Sequence, residues 1–362
     1  MNSECRQICS DLQAHIDCGD ATGMAISVVH NGSVILEKAF GTRWPGRKRK
    51  LKADDVFFLA SCSKPVAATV ITAMSDHGKL PLDTPVSEWI PQLADIHLAE
   101  GGNLRAPTLR ELLSHTGGAV GNATGNFLED PLPPAHPLHT MQQWTRPLAD
   151  AVDNLLQHPW VSRPGSCFSY SGAGYCVAGR TTEIAGQDHF DFLSRDNLFA
   201  PLDLRRTFYR ANECCYEHRI PIYQKTDTGY QRRYMDHTAP SDGFILVGGG
   251  LYSTLHDMGN FLLLHLGEGT FGKMSFISAT AMHDMRRNQT GGLKDYGLGW
   301  FLQEYDDEGL ANIITHTGVS GACMWINFRE QLGIFFVAPM PEGKRWRTLK
   351  DVVIDTVRSA LA

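Results

Sequence analysis

The stretch Val56-Phe57-Phe58-Leu59-Ala60-Ser61-Cys62-Ser63-Lys64-Pro65 decides how this chain is read. An apolar run ends at Ala60, and the segment from Pro65 to His77 has the pattern of a helix. Ser61 and Lys64 stand three residues apart at that junction, so both side chains fall on one helical face, within reach of each other. A lysine beside a serine hydroxyl gives a weak alcohol nucleophile a nearby proton acceptor. Pro65 suits a first helical turn, where its missing N–H costs little. The free N–H groups and dipole of that turn favour negative charge developing near Ser61. The plain alternative is a serine N-cap with Lys64 facing solvent, and the pair alone does not choose between them.

The rest of the composition narrows the setting. The chain has 362 residues, 43% apolar and 20% charged, enough for a large core and two lobes. A net charge of −6 gives no footprint for nucleic acid. Arg47 to Lys52 is a short basic run, read as a solvated loop face. The nine cysteines form no even framework and are expected to be free thiols in a reducing compartment. Cys214-Cys215 are adjacent, a poor arrangement for a simple disulfide, and Cys62 is expected to be a small buried residue. No Cys-x-x-Cys or His-Glu-x-x-His pattern calls for a metal, and nothing calls for a cofactor. Ile8, Leu12 and Ile16 fall at helical spacing near the N-terminus, which reads as an amphipathic helix and not a signal peptide. No stretch is long and apolar enough to span a membrane. The chain as given is therefore expected to be cytoplasmic, acting on a small-molecule substrate.

Along the chain, Gly23 to Gly41 reads as a hairpin turning at Asn31-Gly32. Thr108 and Glu111 form a capping-box pattern. Residues 117 to 140 are rich in Gly, Asn and Pro and read as a long loop. Pro164-Gly165 marks a turn, with helices expected over about 172–185 and 188–198. Further helices are expected over Ser253–Leu266, Ser278–Arg287 and Arg345–Leu361. Strands are expected over Leu298–Gln303, Ile313–Thr315, Ala322–Phe328 and Gly333–Pro339. Strands thus lie at both chain ends with helices between. The expected fold is α/β (α+β): one sheet domain from 1–80 and 245–362, with a mainly helical region, 81–244, inserted.

Two more segments give the serine and lysine partners. Tyr170-Ser171-Gly172 precedes a small-residue helix, and His316-Thr317-Gly318 ends an expected strand. With Ser61-x-x-Lys64, the chain resembles the serine β-lactamase and penicillin-binding family, in its class C branch, which includes D,D-peptidases and esterases. Gly78 to Val86, Leu112-Leu113-Ser114-His115-Thr116-Gly117-Gly118, Gly248 to Thr254 and Tyr296-Gly297-Leu298-Gly299-Trp300 match further family segments in order, so the resemblance covers most of the chain. It implies a β-lactamase-like fold and an acyl-enzyme on Ser61, formed from a β-lactam, a D-amino-acid peptide or a carboxylic ester. Lys64 and Tyr170 would share the base work, and both would need depressed pKa values, since free Lys and Tyr titrate near pH ~10. His316 would hold a substrate carboxylate or polarise Tyr170. The N–H groups of Ser61 and Val319 would form the oxyanion hole, with Gly172, Thr317, Gly318 and Val319 against the substrate.

Two positions depart from the family pattern. Gly172 stands where an Asn is usual, which removes a polar contact and favours a substrate without the corresponding amide, such as an ester. Asn122 or Asn126 could fill that gap from the long loop. His316 replaces a lysine, so an activity profile sensitive to His316 ionisation is expected between about pH 5 and 8. Ser241-Asp242-Gly243 imitates a class A motif but reads as a turn. His115 reads as a packing or loop-bonding residue, Trp160 as core, and Trp144 and Tyr252 as candidates for a pocket lining. The alternative function is a catalytically silent penicillin-binding or scaffold protein on the same fold. An α/β-hydrolase is excluded, because no Gly-x-Ser-x-Gly occurs.

Overall fold

The computed structural model describes residues 2–121, 135–137, 139, 146–210, 218–232, 244–339 and 343–362. The chain begins with helix α1 (Ser3–Asp17), capped by the Asn2 side chain, which accepts from the Cys5 N–H at 2.9 Å. Strands β1 (Gly23–His30) and β2 (Ser33–Gly41) form the expected hairpin. Asn31 and Gly32 both have positive φ, 49° and 74°, as a two-residue primed turn requires. Strand β3 (Phe57–Phe58) leads into a 3₁₀ turn at Ala60–Cys62 and then helix α2 (Ser63–Asp76).

Among the described residues, the elements of the middle of the chain are mostly helices. They include α3 (Leu109–Leu113), with the Thr108/Glu111 capping box in place, α4 (Leu148–Leu156), α5 (Gly172–Gly186) and α6 (Phe190–Ser194). Two short strands follow, β4 (Tyr223–Thr226) and β5 (Gly229–Arg232). Strand β6 (Tyr252–Ser253) pairs with β3 and runs into α7 (Leu255–Leu266), capped by Thr254. Then come β7 (Thr270–Phe271), β8 (Met274–Ser275) and α8 (Ala279–Met285), capped by Ser278. Strands β9 (Phe301–Tyr305), β10 (Ala311–Thr317), β11 (Ala322–Asn327) and β12 (Leu332–Val337) and helix α9 (Gly343–Leu361) close the chain.

Strands from both ends join one antiparallel sheet, ordered β2-β1-β12-β11-β10-β9. Its two faces are read directly from the alternation in β12. Ile334 and Phe336 pack with Ile8 and Leu12 of α1 and Val353 of α9, whereas Phe335 and Val337 join the larger core containing Val66, Ile71, Phe261 and Leu262 of α2 and α7. Both faces are covered, so β11 and β12 are buried throughout and appear in sequence as continuous apolar runs. Each large apolar side chain buried this way contributes about 1.5–3 kcal/mol. Among the described residues, no helix is long and apolar enough to cross a membrane.

Several boundaries differ from expectation for local reasons. The helix expected over 188–198 stops at Ser194 and continues as a π turn, Arg195–Phe199. The strand expected from Leu298 begins at Phe301, because Gly299 turns with φ +83° against α2. A Cβ at Gly299 would lie 2.9 Å from the Lys64 carbonyl oxygen and the Ala68 Cβ. Strand β10 extends through Thr317, so His316 and Thr317 are sheet residues rather than its exit. None of the seven described cysteines is in a disulfide, while Cys214 and Cys215 lie outside the described residues. Arg47 to Lys50 are exposed. Trp160 is core, and Tyr252 is buried with its ring against Phe58 and Phe208. Trp144, Asn122, Asn126 and Ser241-Asp242-Gly243 lie outside the described residues.

Candidate active site

The turn carrying Ser61 is built under constraint. Ala60 has φ 47°, a left-handed conformation that costs an L-residue about 1–2 kcal/mol. Three contacts hold it. The Cys62 thiol lies 3.3 Å from the His316 carbonyl, the Ser63 hydroxyl donates to the Ala60 carbonyl at 2.6 Å, and the Leu251 N–H donates to that hydroxyl at 3.0 Å. Ser61 is left half-buried at the open side of the turn. Cys62 is fully buried, and burial pushes its thiol well above the ordinary range, so it stays protonated and inert.

Lys64 does not face solvent. It is only 2% exposed, with Nζ 3.4 Å from the Ser61 Oγ and donating to the Gly248 carbonyl at 2.8 Å. The ammonium position lies 4.5 Å from the Tyr170 ring centroid and 5.5 Å from that of Tyr175. Among the described residues no carboxylate pairs with it. Burial without a counter-charge pulls its pKa down to about 7. At neutral pH a large fraction of Lys64 is therefore an amine with a free lone pair beside the serine hydroxyl.

The Tyr170 ring lies beside Lys64, and its hydroxyl interacts with that of Ser61. Its pKa moves up, not down: burial outweighs the Ser61 hydrogen bond. The expectation of a depressed Tyr170 is thus corrected, because among the charges near it nothing offsets the loss of water. Tyr170 is a neutral phenol, whereas Lys64 is partly an unprotonated amine at neutral pH.

His316 is 1% exposed on β10, its ring centroid 6.2 Å from that of Tyr170. Its Nδ1 is 3.0 Å from the Thr317 carbonyl, which only accepts, so Nδ1 carries the proton and Nε2 faces the Tyr296 hydroxyl at 3.4 Å. Burial, with Lys64 nearby, holds its pKa down at about 3. This corrects the expected sensitivity to His316 between pH 5 and 8, since the ring is neutral across that window. Thr317 is half-buried, Gly318 buried, and Val319 exposed at 44%. Among the described residues no carbonyl accepts from the Val319 N–H. Gly172 is buried as the first residue of α5, behind the Ser171 cap, which accepts from the Gly174 N–H at 2.9 Å.

The structure therefore brings Ser61, Lys64, Tyr170 and His316 together from the 3₁₀ turn before α2, the first turn of α2, the segment preceding α5, and β10. Three participants are not legible as site residues in the sequence: the Gly248 carbonyl, Tyr175 and Tyr296. Gly248 to Gly250 stand out as a family segment, but only folding shows that a Cβ at Gly248 would press on the Tyr175 ring at 2.9 Å. Together these groups put a proton acceptor beside a serine hydroxyl, one requirement of acyl transfer.

The beta-lactamase family model matches residues 12–356, and the chain belongs to that family. It is 26% identical over 355 residues to penicillin-binding protein 4 of Amycolatopsis lactamdurans, covering 88% of this chain and 87% of that one. The fold matches EstCE1, a hydrolase with promiscuous acyltransferase activity, with a TM-score of 0.82 at 20% identity, covering 99% and 98% of the two chains. It also matches a family VIII carboxylesterase, with a TM-score of 0.74 at 16% identity over 99% and 98%. The chain is a serine hydrolase of the beta-lactamase type.

Proposed function

We propose that this protein hydrolyses carboxylic esters through an acyl-enzyme on Ser61. The observation that carries the reading is a buried Lys64 with no carboxylate partner among the described residues and a pKa of about 7, its Nζ 3.4 Å from the Ser61 hydroxyl. The amine takes the serine proton as Oγ attacks the carbonyl, and the N–H groups of Ser61 and Val319 receive the oxyanion. Tyr170 relays the proton held by Lys64 to the leaving alcohol; a water then gives a proton to Lys64 as it attacks the acyl-enzyme, and that proton returns to the Ser61 oxygen as the acid is released. An ester is favoured over a β-lactam or a D-amino-acid peptide for two reasons. His316 is uncharged where an anionic substrate group would need a cation, and Gly172 offers no side-chain amide for a peptide-like acyl group.

Intact mass after a fluorophosphonate, penicillin or p-nitrophenyl ester tests this, with Ser61→Ala as control. A Ser61-dependent adduct with rapid ester turnover is expected. No adduct and no turnover would sink the enzyme reading in favour of a silent binding protein. A long-lived penicillin adduct without ester turnover would overturn the ester reading and point to a penicillin-binding role.

The pH profile follows from the same groups. Protonated Lys64 cannot accept the Ser61 proton, so kcat/KM rises with pH through a limb near 7. His316 stays neutral above about pH 5 and contributes no limb between 5 and 8. A stopped-assay profile from pH 5 to 9 checks this, and a rate independent of pH across 6 to 8 contradicts it.

A further inference from the structure

His115 is the buried titratable group that the proposed chemistry leaves unused. It follows α3 with φ 61°, a left-handed conformation, and is 2% exposed. Its contacts converge on one neighbour. The His115 carbonyl accepts from the Ser169 N–H at 2.8 Å, and its Nδ1 accepts from the Ser171 N–H at 3.0 Å. Ser169 and Ser171 flank Tyr170, so one residue grips the backbone on both sides of it. Between these bonds the imidazole lies against the Tyr170 ring, centroids 4.3 Å apart.

The rest of the ring's surroundings are aromatic. Centroids of Tyr296, Tyr175 and Phe168 lie 5.0, 5.2 and 5.7 Å away. Because Nδ1 accepts, the proton sits on Nε2, and that buried N–H has no hydrogen-bond partner among the described residues. Packing alone needs neither nitrogen. A clamp on the Ser169–Ser171 backbone needs Nδ1 as an acceptor at all working pH values. Burial supplies this by keeping the ring neutral, and the positive charge that Lys64 carries when protonated acts in the same direction.

We infer that His115 is a positioning residue that fixes Tyr170 over Ser61 and Lys64 by gripping the backbone on both sides of Tyr170 while its ring packs against the phenol. The inference rests on the reading of Tyr170 as part of the proton relay. Asn suits the test, since its carbonyl can replace the Nδ1 acceptor and it tolerates the left-handed backbone. Phe keeps a ring but no acceptor.

His115→Phe is expected to lower kcat at least tenfold with KM changed less than threefold, and His115→Asn to recover most of that loss. In a Tyr170→Phe background the His115→Phe change is expected to cost less than threefold further, because no phenol remains to be placed. Multiplicative losses in that double-variant cycle would assign His115 a general structural role and overturn the inference. A crystal structure of His115→Phe gives a test that needs no turnover. A displaced Tyr170 hydroxyl supports the clamp, and an unmoved one refutes it. Loss of the Ser61 adduct in the wild-type protein would count against the ester-hydrolase reading alone, and the position of the Tyr170 hydroxyl would still decide for or against the clamp.

Discussion

Lys64→Met is expected to lower kcat by about 10²–10⁴-fold, the usual contribution of a positioned general base. Methionine has similar length and volume, so the pocket beneath Tyr170 and Tyr175 stays filled while the lone pair disappears. The same change is expected to raise the melting temperature at pH 7. Lys64 is buried with one backbone carbonyl and no carboxylate, and an uncompensated buried amine works against folding. The loss of rate and the gain in stability have one cause, the removal of water that tunes Lys64 toward neutrality.

Linkage gives this an internal check. The folded pKa of Lys64 is about 7, below that of a free lysine near ~10.4. Between these values the unfolded chain holds a proton that the folded chain does not, so stability rises with pH across that window. Below pH 7 the folded state carries the full penalty. Lys64→Met removes the term, so its stabilising effect is expected to be largest below pH 7 and to shrink toward pH 10. Denaturant titrations at pH 6.5 and 9 measure it. Unchanged kcat, or a variant less stable than wild type at both pH values, contradicts the account.

The sequence disclosed the chemistry of this site better than its electrostatics. Ser61 and Lys64 are readable together because helical spacing is local, and the Asn31-Gly32 hairpin and the Thr108/Glu111 capping box are readable for the same reason. The pairing of β1 with β12 joins residues more than three hundred positions apart, and only the placement of strands at both chain ends hinted at it. The Gly248 carbonyl that holds Lys64 lies 184 residues away, and the His115 clamp spans 56 residues to Ser171. Contacts of that kind carry no periodicity. Ionisation is less accessible still, since it depends on how much water folding removes. The residue types suggest a titrating His316 and a depressed Tyr170; burial reverses the second and moves the first out of the working range.

Gly318→Ala is expected to lower kcat/KM by about 10²–10³-fold, the cost of losing one oxyanion donor. A Cβ at Gly318 would lie 2.2 Å from the Leu59 carbonyl oxygen and 3.3 Å from the Ala60 Cβ. Leu59 cannot yield readily. Its N–H is bonded to the Leu251 carbonyl at 2.9 Å, and the next residue already holds a left-handed conformation. The loop after β10 must therefore move instead. That loop is stiff, with the Gly318 N–H bonded to the Ala322 carbonyl at 2.8 Å and the Gly321 N–H to the Gly318 carbonyl at 2.9 Å, so it shifts as a unit and takes the Val319 N–H away from Ser61. Val319→Ala trims an exposed side chain, keeps that N–H in place and is expected to change kcat/KM only a few-fold. The contrast separates backbone geometry from side-chain contact: if Gly318→Ala retains wild-type rates while Val319→Ala loses them, the oxyanion assignment fails and the exposed valine is instead a substrate contact.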